Sequence, residues 1–237
     1  MMTENLERMP EDWENALVLA AHPDDIEFGS AGAVAVWTRK GRAVSYLLAT
    51  RGEAGIDGMA PEQAAGVREA EQREAASRVG VTEVEFLGHP DGALRAGEAL
   101  RGDLVAAIRR HRPELVVVFN HHRRTGTGRW NAPDHREFGM CALDALVDAG
   151  NRWLLPGAGE PWSVKYVAVA NSPEPTHAVD ISTGLDAAVE SLAAHASYLK
   201  GLGHPPEAVR PAVSGQAQSV GARFGGVPAA AFELIPR

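Results

Sequence analysis

Apolar and polar positions alternate in blocks along the first two-thirds of the chain. Ala16 to Ala21 (ALVLAA), Ala43 to Thr50 (AVSYLLAT), Glu83 to Leu87 (EVEFL) and Glu114 to Asn120 (ELVVVFN) are short and largely apolar. Their length and their content of Val and Leu predict strands. Between and after them lie longer segments, Gly29 to Arg39, Pro61 to Val79, Glu98 to Arg110 and Asp134 to Ala149. These predict helices, and Pro61 stands near a first turn, where proline is tolerated. Strands that are apolar almost throughout, alternating with helices, predict a parallel sheet covered on both faces and joined by right-handed crossovers. The expected fold class is therefore α/β, an open doubly wound and mostly parallel sheet.

The last third is less regular. Val164 to Ala170 and Ala178 to Ile181 predict strands, and Gly184 to Gly201 predicts one helix. Gly203 to Arg237, with scattered Pro and Gly, reads as loops and short elements packed on the same body. No internal repeat, low-complexity tract or linker divides the chain. Residues 1–237 are thus expected to form a single domain, with a core over 16–150 and carboxyl-terminal elements over 164–237 packed on it.

Composition narrows the function classes. The 237 residues are 45% hydrophobic and 23% charged, ordinary for a globular protein. Lys and Arg total 23 against 31 Asp and Glu, a formal charge of -8. That balance argues against nucleic acid or an anionic membrane as partner, because both need a basic patch. No run approaches the ~20 apolar residues of a membrane span. The stretch MMTENLERMPEDWEN lacks the apolar centre of a signal peptide, and the cytoplasm is the expected compartment. The one cysteine, Cys141, lies in an apolar helical stretch and reads as a buried structural thiol.

In a doubly wound sheet the ligand lies beyond the carboxyl ends of the strands. Each of the four strand ends here carries polar or ionisable groups. They are His22-Pro23-Asp24-Asp25, then Thr50-Arg51-Gly52-Glu53-Ala54-Gly55, then Gly88-His89-Pro90-Asp91-Gly92. The fourth is Asn120-His121-His122-Arg123-Arg124, with a glycine-containing loop leading to Asn131-Ala132-Pro133-Asp134-His135. That convergence is stronger than any single motif.

His22 and Asp25 are close enough in a turn to grip one ion, and His135 sits where a helix fixes its backbone. Two His and one carboxylate leave an open coordination position, which suits a catalytic zinc. Zinc there would bring the pKa of a bound water to about 7. Asp24, adjacent to Asp25 and not needed as a ligand, fits a general base. The bland alternative is a turn histidine with helix-capping carboxylates.

The stretches AHPDDIEFGSAG, TRGEAG, VREAEQREAA, FLGHPDG and PDHRE resemble the PIG-L/LmbE-like family of zinc-dependent de-N-acetylases. The likeness runs from about Leu17 to about Leu146, and HASYL at His195 to Leu199 echoes the family's helix near the end of the domain. The resemblance implies a Rossmann-like fold and hydrolysis of the acetamide of an N-acetylglucosamine-type sugar conjugate. It implies one Zn2+ per chain, with another divalent metal an alternative, held by His22, Asp25 and His135, and Asp24 as general base. Arg68 and Asp91 match positions that contact the sugar or its aglycone. A small-molecule N-acetylated sugar conjugate is the expected partner, and a homo-oligomer suits the family.

One departure stands out. Many members carry a histidine three residues before the second metal-binding His, where it helps stabilise the oxyanion; this chain has Ala132. Loss of one such donor typically costs ~10²-fold or more in rate. Asn131, His121 or His122 could stand in, and Asp134 caps its helix or orients a neighbour. Glu27 reads as a helix-start carboxylate, His195 as a satisfied, partly buried histidine, and the TRGEAG glycines as a flexible substrate loop. Trp130 and Trp162 are candidates to stack on a sugar face; Trp153 reads as core. Two further readings compete with a deacetylase. A non-catalytic metal- and sugar-binding protein would not need Asp24, and a nucleotide-dependent enzyme would need a glycine fingerprint after the first strand, which is missing.

Overall fold

The computed structural model describes residues 5–236. One eight-stranded sheet runs through it in the order β1-β7-β8-β6-β5-β2-β3-β4. The strands are β1 (Glu7–Arg8), β2 (Asn15–Ala20), β3 (Ala43–Leu48), β4 (Glu83–Phe86), β5 (Leu115–Phe119), β6 (Tyr166–Ala170), β7 (His177–Asp180) and β8 (Ala229–Ile235). All neighbours pair parallel except β8, which runs antiparallel to both β6 and β7. The helices are α1 (Ala31–Arg39), α2 (Pro61–Arg78), α3 (Glu98–His111), α4 (Pro133–Ala149), α5 (Leu185–Ala193), α6 (Ala196–Gly201) and α7 (Val209–Gly221). This is the mostly parallel α/β architecture that the apolar strands predict.

Both faces of the sheet are covered, which is why β2 and β5 are apolar without alternation. Val18, Ala20, Leu48 and Val117 pack on one side with Trp13, Val34 and Trp37. Leu17, Leu19, Leu47, Val116 and Val118 pack on the other with Leu104, Ile108, Phe138 and Cys141. Cys141 is buried as expected, and burial pushes its thiol pKa up. The chain leaves β2 toward β3 and β4, then returns to place β5 on the other side of β2. The ends of β2 and β5 therefore flank the reversal of strand order, where such sheets open a crevice.

The carboxyl-terminal third departs from expectation. Gly203 to Arg237 is not mainly loop: within its described part it supplies α7 and β8, and β8 lies inside the sheet between β6 and β7. The single helix expected over Gly184 to Gly201 is two, α5 and α6, separated at Ala194 and His195. The first helix begins at Ala31, so residues 21–30 form a run of turns after β2. The two-residue β1 gave no pattern to detect. Among the described residues, no helix is long and apolar enough to cross a membrane.

Candidate metal centre

The run of turns after β2 closes on itself. Asp25 Oδ2 accepts hydrogen bonds from the backbone N–H of Ala21 (3.1 Å) and His22 (2.9 Å). This fixes the carboxylate against the strand end. From the other side of the crevice, α4 carries His135 in its first turn. Gly139 lets α4 approach: a Cβ there would stand 2.6 Å from the His121 Cβ. The His135 ring then packs edge-on against Phe119 at the end of β5, with ring centres 4.7 Å apart.

His22, Asp25 and His135 converge. His22 Nδ1 stands 3.2 Å from His135 Nε2, His135 Nε2 stands 3.0 Å from Asp25 Oδ1, and His22 Nδ1 stands 3.5 Å from Asp25 Oδ2. Ligands at zinc distances of 2.0–2.1 Å in a tetrahedron stand about 3.3 Å apart. The outer nitrogens of both rings are engaged elsewhere. His22 Nε2 faces Asp91 Oδ1 (3.1 Å) and Asp134 Oδ2 (3.2 Å), and His135 Nδ1 faces Asn131 Oδ1 (2.9 Å). Those acceptors can each take an N–H proton from the outer side of a ring. Two inner imidazole nitrogens and a carboxylate oxygen aimed at one point make a site that could bind a metal, with the outer contacts that metal-ligating histidines require.

The carboxylates behind His22 are themselves held. Asp134 accepts from the N–H of Gly92 (2.8 Å) and Leu94 (3.2 Å), so it orients His22 and does not cap α4 through its side chain. Asp91 Oδ2 accepts from Ala54 N–H (2.8 Å). Burial opposes charge on His22, but its hydrogen bonds with Asp134, Asp25 and Asp91 outweigh it, and its pKa lies well above the usual value. Burial would raise Asp25, yet the charge and hydrogen bond of His135, with His22, hold it far below the carboxylate range. Contact with His22 also lowers Asp91 and Asp134 against burial.

Asp24 is different. Burial, opposed by the Arg68 guanidinium and reinforced by the Asp25 charge, pushes its carboxyl up to about 7. Arg68 Nη2 donates to Asp24 Oδ1 at 2.6 Å and also to the Pro23 carbonyl. Arg68 is 1% exposed, and its guanidinium lies 3.5 Å from the centre of the Tyr198 ring. The structure thus places Arg68 beneath Asp24, where none of its face is open to a sugar. The TRGEAG glycines pack on it. A Cβ at Gly55 would stand 2.6 Å from Arg68 Nη1, and at Gly52, where φ is +68°, 3.0 Å from Arg68 Nε. Close packing, not a flexible substrate loop, explains these glycines.

The residues considered in place of the missing histidine are committed elsewhere, in two of three cases. Asn131 Nδ2 donates to the carbonyls of Asn120 (2.8 Å) and His122 (2.9 Å). His122 Nε2 contacts Glu233 Oε2 at 2.7 Å. His121 stacks on His122 with ring centres 4.2 Å apart, and burial lowers its pKa. Trp130, 63% exposed, lines a pocket of about 740 Å³ that also reaches Ala132 and His135. Trp162 instead donates to the Pro113 carbonyl just before β5, at the opposite end of that strand, and Trp153 is exposed, not core.

Sequence reasoning missed or underrated four buried groups beside Asp24. Gln72 Oε1 accepts from the Asp24 N–H (2.9 Å), and its Nε2 donates to Glu27 Oε1 (3.1 Å). Glu27 is wholly buried, precedes the first turn of α1 and makes no side-chain cap there; its carboxylate turns to Gln72, Ser191 and His195. His195 is also wholly buried, and neither ring nitrogen makes a well-aligned hydrogen bond, although Nε2 lies 3.3 Å from Glu27 Oε2. Ser191 Oγ reaches Glu27 Oε1 at 3.2 Å. The spacing of Arg68 and Gln72 on one face of α2 was the available signal.

Comparison with known proteins adds to this geometry. Diacetylchitobiose deacetylase of Thermococcus kodakarensis is 29% identical over 196 residues, 78% of this chain and 70% of its own length. The 1D-myo-inositol 2-acetamido-2-deoxy-alpha-D-glucopyranoside deacetylase of Kineococcus radiotolerans is 30% identical over 204 residues, 72% of this chain and 55% of its own length. This chain thus spans only about half of the second relative. The structure of N,N'-diacetylchitobiose deacetylase from Pyrococcus horikoshii, at 22% identity, superposes with a TM-score of 0.84 over 95% of this chain and 85% of that one, and shows the same fold. The GlcNAc-PI de-N-acetylase (PIG-L) family pattern matches residues 17–146, the span that carries His22, Asp25 and His135. The chain belongs to that family.

Proposed function

We propose that this protein is a zinc-dependent deacetylase of N-acetylglucosamine-type sugar conjugates. The observation that carries the reading is the pair of facing imidazole nitrogens, 3.2 Å apart, with the Asp25 carboxylate closing the triangle. A cation held between them would take a lone pair from each inner nitrogen, while the outer nitrogens face Asp91, Asp134 and Asn131. The named relatives supply the substrate class, since both act on acetylated glucosamine derivatives.

His22, Asp25 and His135 would hold the metal. Zinc bound there supplies Lewis acidity, which polarises an acetamide carbonyl and acidifies a water molecule. Asp24 takes a proton from the attacking water. Burial pushes its carboxyl pKa up, which favours both taking that proton and returning it to the departing amine. That return matters because an unprotonated amide nitrogen is a poor leaving group. Arg68 holds the Asp24 carboxylate in place, and Asp91 and Asp134 hold His22. The pocket past Ala132, with Trp130 at its rim, gives the conjugate room beside the reacting bond.

The test is primary-amine release from a panel of N-acetylglucosamine conjugates, with metal-replete protein and a chelated control. Chelator-sensitive release supports the reading. Zinc-loaded protein that releases no amine from any conjugate would instead favour a binding protein on the same scaffold.

A further inference from the structure

Asp24 adopts a backbone φ of +92°, in the region that L-residues rarely occupy. Such a conformation costs energy and persists only where the surroundings over-determine it. Here they do. Its carbonyl accepts from the N–H of Glu27 (3.0 Å) and Phe28 (3.2 Å). Its carboxylate is held by Arg68, and its N–H is held by Gln72 at 2.9 Å. Arg68 and Gln72 stand four apart on α2, on one face, so a single helix grips both the side chain and the backbone of Asp24.

The Gln72 amide cannot turn over freely. Its Nε2 is bound to Glu27 Oε1, which leaves Oε1 as the acceptor for Asp24. Glu27 in turn meets Ser191 and His195, at the end of α5 and the corner before α6. A carboxylate and an imidazole without exposure to water are an expensive choice for mere cohesion, since apolar residues of similar size pack there at least as well. None of the four groups belongs to the metal-binding triad. Their common feature is a chain of contacts, from His195 and Ser191 to Glu27 and from Glu27 to Gln72, that ends on the Asp24 N–H.

We propose that Gln72, braced by Glu27 and through it by the α5–α6 corner, is a positioning residue for Asp24. It locks the left-handed backbone in which Arg68 can hold the carboxylate. The inference rests on the reading of Asp24 as general base. It extends the working parts of the site into a region, Ser191 and His195, that lies outside the family match over residues 17–146.

The experiment compares Gln72→Met, Glu27→Gln and Asp24→Asn in the zinc-loaded protein. A loosely held base costs turnover, so Gln72→Met is expected to lower kcat by about 10- to 100-fold, with KM within about twofold and zinc content unchanged. Glu27→Gln replaces the charged acceptor of Gln72 Nε2 by a neutral one and is expected to lower kcat in the same direction by about 3- to 10-fold, with zinc content unchanged; a parent kcat would overturn the part given to Glu27. If Gln72→Met does not fold, Gln72→Asn, which withdraws the amide by one methylene, is held to the same criteria. A kcat within about twofold of the parent overturns the proposal, as does a fall that only tracks lost zinc or a raised KM. Asp24→Asn separates the two readings. Full turnover in Asp24→Asn sinks the base assignment itself; an inactive Asp24→Asn beside an active Gln72→Met sinks the positioning role alone.

Discussion

Residues 15–149 and residues 166–235 build two unlike halves of one sheet. In the first, every strand is parallel, and the loops after β2, β4 and β5 deliver His22, Asp91 and His135 to one crevice. In the second, β8 runs antiparallel between two strands of opposite direction, and no residue of the His22, Asp25 and His135 cluster comes from it. What the second half supplies is support. Tyr198 lies on the Arg68 guanidinium, and His195 and Ser191 stand behind Glu27. The contrast teaches that donors come from strand ends and from the first turn of a helix facing the crevice, and that restraint comes from helices packed behind them.

The comparison breaks most sharply at the first half's own division of roles. Asp24→Ala is expected to retain zinc and lose about 10²- to 10⁴-fold in turnover, the usual worth of a general base. His135→Ala is expected to lose both. Metal analysis beside amine release checks this, and equal zinc loss in the two variants would erase the distinction. Asn131→Ala removes the acceptor on His135 Nδ1, and zinc affinity should fall about 10- to 100-fold by competition with a chelating dye.

Acidity tests the same half without mutation. His22 has a raised pKa, so below it a proton occupies the nitrogen a metal needs. Metal affinity should therefore weaken as pH falls, by about tenfold per pH unit for each proton displaced. A flat profile between neutral and mildly acid pH would contradict the carboxylate contacts on His22. Asp24 must be ionised to act as base, and its carboxyl titrates at about 7 in the chain alone. Activity should be lost as pH falls through this limb, and a bound dication should move the limb to lower pH. At Ala132, restoring a donor by Ala132→His should raise kcat by about tenfold if its absence limits the rate.

The smallest effect sharpens the second half's part. Tyr198→Leu takes the aromatic face from Arg68, an interaction of about 0.5–2 kcal/mol. Turnover should fall by about 2- to 30-fold on that scale, while zinc content stays unchanged. Loss of zinc in this variant would place Tyr198 in the support of the metal site itself.

Legibility followed the same division. The β2 and β5 runs could be recognised because burial on both faces demands continuous apolar residues. The His22, Asp25 and His135 cluster could be assembled because parallel strands put their ends on one side. β8, with the sequence AAAFELI, carries three alanines, which are poor strand formers in isolation. α7 includes Pro211 and Gly215, which mask its helical pattern, and tertiary packing outweighs those propensities. Glu27 and His195 were misjudged for a related reason. Each looks ordinary beside its neighbours in sequence, and only their approach across the fold makes them a buried pair.

Sequence by itself determined the parallel α/β half and the residue types at its strand ends, because hydrophobic period and strand direction are local properties. Only the tertiary structure decided that Arg68 lies under Asp24, that Asn131 serves His135, and that Gln72 reaches the Asp24 backbone across 48 positions. Such contacts depend on helix packing and on which nitrogen of a ring faces which acceptor. Neither has a period or a spacing along the chain.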